Sequence, residues 1–189
     1  MITIYPSTEE ELSKYSLRRS NDIYLFSNVF SEDMCNKLID HTNKNAKDRL
    51  KVGNGQNVQG YEGEIFSDDP FFKSIYSKLI DIGNFVNIKY HITFGHNHEG
   101  ITIRKIHGPT KLHIDGPGAR HGGIRSLAVI IALNSDYDGG EIVFPCQNFK
   151  TKLKQGEAIA FPPYWTHPHY TEDLKNNTFR YTINTWLTV

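Results

Sequence analysis

In the segment Pro109-Thr-Lys-Leu-His-Ile-Asp-Gly116, the imidazole of His113 and the carboxylate of Asp115 stand two positions apart. An extended chain sends residues i and i+2 to the same face, so a strand ending here aims both groups at one point. A nitrogen and an oxygen donor held side by side supply two of the three ligands of the 2-His-1-carboxylate set that suits non-haem Fe(II). A tripeptide with one free position recurs by chance, so the pair needs a third donor elsewhere. Phe161-Pro-Pro-Tyr-Trp-Thr-His-Pro-His169 offers two, His167 and His169, which strand parity cannot separate.

The last segment holds a different kind of group. Period two places Arg180, Thr182, Asn184 and Trp186 on one face of a strand and Tyr181, Ile183, Thr185 and Leu187 on the other. The second set is an ordinary core face. The first is polar apart from Trp186 and carries a charge, which is costly to bury unless it is paired. The planar guanidinium fork suits a carboxylate. That carboxylate is either an internal Asp or Glu or part of a ligand.

The elements that position these groups follow from the chain as a whole. It has 189 residues and no net formal charge, with 21 basic and 21 acidic side chains. One domain spanning residues 1–189 is expected at this length. The balanced charge argues against a nucleic-acid or membrane-surface partner. Cys35 and Cys146 are too few for a disulfide framework and read as small buried hydrophobes. The N-terminus lacks the basic start and apolar run of a secretion signal, and no stretch approaches the roughly 18 apolar residues of a membrane helix, so a cytoplasmic protein is expected.

Thr8 and Glu11 can form a capping box for a short first helix. Asp22–Phe26 reads as a strand. Ser31 as N-cap, with Glu32 and Asp33 in the first turn, predicts a helix over 32–46. Val52–Gly63, rich in Gly and Asn, reads as a loop, either a long surface connection or a lid that contacts a substrate. Asp69-Pro70 opens a second helix whose buried face is Phe72, Ile75, Leu79 and Ile82, with Gly83 as its stop. Short β-rich runs follow at Phe85–Phe94, Ile101–Ile106, Leu127–Leu133, Glu141–Phe144, Ala158–Phe161 and Arg180–Val189. Helices first and strands afterwards predict an α+β fold: residues 1–84 support a double-sheet jelly roll over 85–189, with the helices packed on one sheet. Gly116–Gly123, with Arg120 and His121, should form a mobile rim beside the His113–Asp115 pair. His91, His96, His98 and His107 read as surface histidines around a turn.

Residues 101–187 resemble the catalytic core of the Fe(II)- and 2-oxoglutarate-dependent dioxygenases, in particular their prolyl 4-hydroxylase-like branch. His113-Ile-Asp115, Arg125–Asn134, Asp138-Gly-Gly-Glu-Ile-Val-Phe-Pro145, Gly156–Pro162, Pro168-His169 and Arg180–Leu187 carry the resemblance in family order. Phe26–Ile39 is similar to the helix that commonly precedes this core. The resemblance implies a double-stranded β-helix in which His113, Asp115 and His169 bind Fe(II) as the catalytic centre; His169 is preferred over His167 because it follows Pro168. It also implies that Arg180 binds the C5 carboxylate of 2-oxoglutarate with Thr182 beside it, and that Trp186 lies near the site; Arg125 matches a recurrent family arginine on the strand after the first loop. Where the family often places a tyrosine upstream of the first histidine, this chain has Arg104, which either supplies a different cosubstrate contact or faces outward. The implied cosubstrates are 2-oxoglutarate and O2, with ascorbate as an accessory. The implied reaction hydroxylates a C–H bond of a peptide, protein or small molecule, a peptidyl proline among them, as 2-oxoglutarate becomes succinate and CO2. The rival readings are a metal-binding jelly roll without turnover and a cupin-type hydrolase or isomerase using Zn(II) or Mn(II).

Overall fold

The structure, a computed structural model, describes residues 17–45, 59–90, 97–119 and 122–189. In chain order the elements are β1 Leu17–Ser20, β2 Ile23–Phe26, α1 Glu32–Asn45, β3 Gln59–Ile65, α2 Phe72–Tyr90 and β4 Asn97–His98. They continue with β5 Ile101–His107, β6 Thr110–His113, β7 Arg125–Ala132, β8 Asp138–Gly139, β9 Ile142–Phe144 and β10 Phe149–Thr151. The last are β11 Ala158–Phe161, β12 His169–Thr171, β13 Leu174–Lys175 and β14 Arg180–Thr188.

The strands form a larger sheet, ordered β1-β2-β11-β7-β14-β5-β3 with β4 on β14, and a smaller one, ordered β10-β9-β12-β6. A two-stranded ribbon of β8 and β13 stands beside them. Period two divides the side chains of the central strands into two cores. Leu127, Val129 and Ile131 of β7 and Ile183 and Leu187 of β14 face α1 and α2, against Leu38, Ile75, Leu79 and Ile82. Ala128 and Ala132 face the smaller sheet, against Ile142, Phe144 and Phe161, with Ile130 and Trp186 packed alongside. This is the α+β jelly roll expected from the sequence, with the helices over one face of the larger sheet.

Local signals explain most of the element starts. Ser31 Oγ accepts the Met34 N–H at 3.2 Å, which caps α1. Asp69 Oδ1 accepts the Phe71 N–H at 2.8 Å, so the turn before α2 is anchored there and the helix proper begins at Phe72 rather than at Pro70.

Several expectations are corrected. α2 does not stop at Gly83, and residues 85–90 are helical, not the start of a strand. A Cβ on Gly83 would lie 2.8 Å from Leu187 Cδ1, so this glycine allows α2 to approach β14 closely and is not a C-cap. Val86 then continues the buried stripe of Leu79 and Ile82, and packing overrides its β propensity. Gln59–Gly63, taken as loop, belongs to β3. At Gly60, with φ of 151°, a Cβ would meet Lys105 O of β5 at 1.8 Å; here the glycine marks close strand approach. Cys35 is buried as expected, but Cys146 is exposed on a 3-10 turn. His98 is half-buried against Phe72 and Tyr76, and His107 is half-buried against Phe179, so neither is a free surface group. The capping box at Thr8, residues 52–58 and 91–94, His91, His96, Arg120 and His121 lie outside the described residues.

The helix layer supports the sheet and contributes nothing to the pocket between the sheets. Leu79→Ala should therefore cost about 2–5 kcal/mol of stability in urea unfolding, while the folded variant keeps wild-type metal affinity.

Candidate active site

β6 and β12 pair antiparallel, and their register makes His113 and His169 direct partners. Asp115 lies just past the end of β6, so its carboxylate joins the two imidazoles. His113 Nε2 is 3.7 Å from Asp115 Oδ1 and His169 Nε2 is 4.0 Å from Asp115 Oδ2. The donor atoms of the three residues all lie within 4.8 Å of one another.

The tautomers are set by the backbone. His113 Nδ1 hydrogen-bonds Lys111 O at 2.7 Å, and His169 Nδ1 hydrogen-bonds His167 O at 3.1 Å. Each Nδ1–H donates to the carbonyl two residues earlier, which leaves each Nε2 lone pair free and turned toward Asp115. Burial pushes the His169 imidazole below its usual pKa, more than Asp115 raises it, so it is neutral at pH 7, the form a metal requires. His167 is arranged differently. Its Nδ1 is bonded to Thr166 Oγ1 at 2.9 Å and its Nε2 to Asn21 O at 3.0 Å, so both ring nitrogens are engaged by the protein. The structure thus separates two histidines that parity could not. Two neutral nitrogens and one carboxylate, with the remaining directions open to a pocket, fit Fe(II).

A second set of contacts fixes Asp115. Arg125, at the start of β7, donates from Nη1 to the Asp115 carbonyl and from Nε and Nη2 to the two oxygens of Glu99. The Glu99 side chain is 1% exposed, so this bidentate pair is shielded from water. The guanidinium also lies over the Trp186 ring, 4.1 Å from its centroid. Glu99 and Trp186 therefore hold Arg125, and Arg125 holds the main chain of the carboxylate ligand. The hydrogen bonds to Glu99 raise the Arg125 pKa more than burial lowers it, so the guanidinium stays charged.

The pocket runs from the triad inward between the sheets. Its lining includes Arg104, Thr110, Ala128, Ala132, Tyr137, Gly140, Ile142, Ile159, Thr171, Arg180, Thr182, Asn184 and Trp186. Trp186 and Thr182 are register partners of Ala128 and Ala132, and those small side chains leave the space free. Arg180 Nη1 donates to Gly140 O at 2.9 Å and Nη2 reaches Thr171 Oγ1 at 3.5 Å. Arg104 is neutralised by Glu62 at 2.7 Å and Arg125 by Glu99, but no described residue gives Arg180 a carboxylate. Burial lowers the Arg180 pKa, and repulsion from Arg104 adds to this. The guanidinium nevertheless stays charged, so the pocket holds a cation with no carboxylate partner among the described residues.

Residues 102–188 match the profile of the 2OG-Fe(II) oxygenase superfamily. Over that segment the chain is similar to this superfamily. No curated protein matches its sequence. Among solved structures, the viral collagen prolyl hydroxylase of Paramecium bursaria Chlorella virus-1, in its 2OG complex, has a TM-score of 0.68 at 20% identity, over 89% of this chain and 96% of that one. A Trichoplax adhaerens prolyl hydroxylase, in complex with a peptide fragment of the hypoxia inducible factor oxygen degradation domain, has a TM-score of 0.69 at 16% identity, covering 89% and 84%. A Pseudomonas putida prolyl-4-hydroxylase has a TM-score of 0.68 at 12% identity, covering 95% of each chain. These likenesses are of fold.

The sequence-predicted residues converge on one cavity. His113, Asp115, His169, Arg180, Thr182, Trp186 and Arg104 all line it. Two of them are already committed to protein partners: Arg104 to Glu62, and the Thr182 hydroxyl to Asn184 Oδ1 at 2.6 Å. Sequence reasoning missed Glu99 and Tyr137. Glu99 precedes the recognisable blocks, and only the fold brings it to Arg125. Tyr137 sits next to the Asp138-Gly-Gly block, a position from which a side chain enters the cavity only because the chain turns at Gly139 and Gly140, with φ of 71° and 70°.

Two outcomes follow from this geometry. In calorimetric titration with Mn(II), His169→Ala should abolish binding, whereas His167→Ala should bind metal and lose about 1–3 kcal/mol of stability. Glu99→Gln should weaken metal affinity by about 10- to 100-fold, the usual range for a group that orients a ligand, with Asp115 itself unchanged.

Proposed function

We propose that this chain is an Fe(II)- and 2-oxoglutarate-dependent dioxygenase that hydroxylates a C–H bond, with a peptidyl proline as its substrate class. The observation that carries the reading is Arg180, a guanidinium in the same cavity as the triad, with no carboxylate partner among the described residues. The metal chemistry of a hydrolase or isomerase does not itself require such a cation. A dicarboxylate that chelates the metal at one end needs it at the other.

His113, Asp115 and His169 would hold the Fe(II). When bound, the metal would couple oxidative decarboxylation of 2-oxoglutarate to C–H hydroxylation, one oxygen atom of O2 passing to succinate and the other to the substrate. The chain's own residues do the rest. The Nδ1 bonds to Lys111 and His167 carbonyls hold both imidazoles in the metal-binding tautomer. Arg125 keeps Asp115 in place, and Arg180 orients the cosubstrate from its far end. Phe144 and Phe161 pack on His169, at 5.4 and 4.8 Å between ring centroids, and exclude water from the inner side of the site.

The peptide reading draws on the mouth of the cavity and on the fold relatives. Leu112 and Ile114 flank His113 and are exposed, as is Trp165. Gly116 N–H donates to Pro163 O at 3.0 Å, so the segment carrying Trp165 is tied to the turn that follows the ligands. An apolar rim beside a metal site suits a peptide side chain and its neighbours. All three fold relatives are prolyl hydroxylases, one of them with a peptide bound. Among the described residues no helix is long and apolar enough to cross a membrane. We assign the chain to the cytoplasm, where Cys35 and Cys146 would remain free thiols.

Incubation of the Fe(II)-loaded protein with 2-oxoglutarate, O2 and a panel of proline-containing peptides should yield succinate and a peptide heavier by one oxygen atom, read by mass spectrometry. Arg180→Ala should raise the KM for 2-oxoglutarate by about 100-fold or more. An unchanged KM would favour the Zn(II) or Mn(II) hydrolase or isomerase.

A further inference from the structure

A carboxylate facing Arg180 would have more lone pairs than this arginine can fill, since Nη1 is already given to Gly140 O. A second donor at that end of the cavity would complete the site. Thr182 is the obvious hydroxyl, but it donates to Asn184 Oδ1. Thr110 and Thr171 are locked to each other: each oxygen takes the other's backbone N–H at 2.9 Å, and the hydroxyls are 3.0 Å apart.

Tyr137 is free to act. Its side chain is 3% exposed and lines the same cavity as Arg180, Gly140 and Thr171. Its ring lies against Gly140, where an added Cβ would be 3.2 Å from Tyr137 Cε2, and Gly140 O is the acceptor of Arg180 Nη1. Gly140 therefore seats the aromatic ring and the guanidinium together. On the other side, Lys152 Nζ is 4.5 Å from the ring centroid and donates to the Tyr137 carbonyl, which fixes the residue. The phenolic oxygen makes no hydrogen bond to a described residue. Ordinary packing would be served as well by phenylalanine.

Given the cosubstrate reading above, on which this rests, we propose that Tyr137 donates its phenolic O–H to the distal carboxylate that pairs with Arg180, forming a two-donor cradle on Gly140. Burial raises the Tyr137 pKa more than the nearby Arg180 lowers it, so the phenol keeps its proton at neutral pH and is a donor.

The test is calorimetric binding of 2-oxoglutarate, and of pyruvate, to the Mn(II)-loaded protein under argon. Pyruvate has the same 2-oxo acid head without the distal carboxylate. For Tyr137→Phe the Kd of 2-oxoglutarate should rise about tenfold, with the Kd of pyruvate, the Mn(II) affinity and the thermal midpoint unchanged. If the variant binds 2-oxoglutarate as tightly as wild type, or loses affinity for both acids equally, the cradle is refuted and the cosubstrate reading stands. If wild type binds no 2-oxoglutarate, both fall.

Discussion

The site depends on one register. Because β6 and β12 pair so that His113 opposes His169, two imidazoles that are far apart in sequence face one another across adjacent strands. Strand pairing has a period of two, so a slip by one residue would turn one imidazole to the opposite face. The pairing is pinned beside the histidines by the reciprocal Thr110–Thr171 bonds. The irregularity between His169 and Thr171 adjusts the strand so that both the histidine and the threonine meet their partners. Asp115 needs no strand of its own, since Arg125 grips its carbonyl while Glu99 and Trp186 grip Arg125.

The second constraint is electrostatic. Arg104, Arg125 and Arg180 all point inward from central strands of the larger sheet, and a buried guanidinium without a partner is expensive. Glu62 and Glu99 offset that cost for Arg104 and Arg125. Arg180 has two neutral acceptors instead. The distribution divides the cavity into a structural part, where charges cancel, and a receptive part, where one charge waits for a ligand. The alanines of β7 keep that part open, and the aromatic cluster of Phe144 and Phe161 keeps it dry around His169.

Much of this was legible in the sequence, because the site is built on regular strands. The parity of β14 correctly directed Arg180, Thr182, Asn184 and Trp186 to the cavity and Ile183 and Leu187 to the helices. The jelly roll followed from short β-rich runs and the ordered blocks of residues 101–187. Glycine was the main source of error. Gly83 and the glycines of β3 were taken as stops or loop residues, yet they mark places where a neighbouring backbone or side chain leaves no room for a Cβ. Such contacts are tertiary and leave no local signal. Strand parity could not separate His167 from His169; the family spacing to Arg180 favoured His169, and the fold engages both ring nitrogens of His167 with protein partners. Thr182 shares the strand face with Arg180, and its hydroxyl donates to Asn184 Oδ1 on that same face.

The central claim is that one cavity holds a metal at the triad and a carboxylate at Arg180, joined by a single bound 2-oxo acid. Anaerobic absorption spectroscopy of the Fe(II)-loaded protein titrated with 2-oxoglutarate measures that arrangement directly. The account predicts a metal-to-ligand charge-transfer band in the visible that grows with added 2-oxoglutarate and saturates at one acid per iron. A titration that leaves the visible spectrum of the iron-loaded protein flat would contradict it.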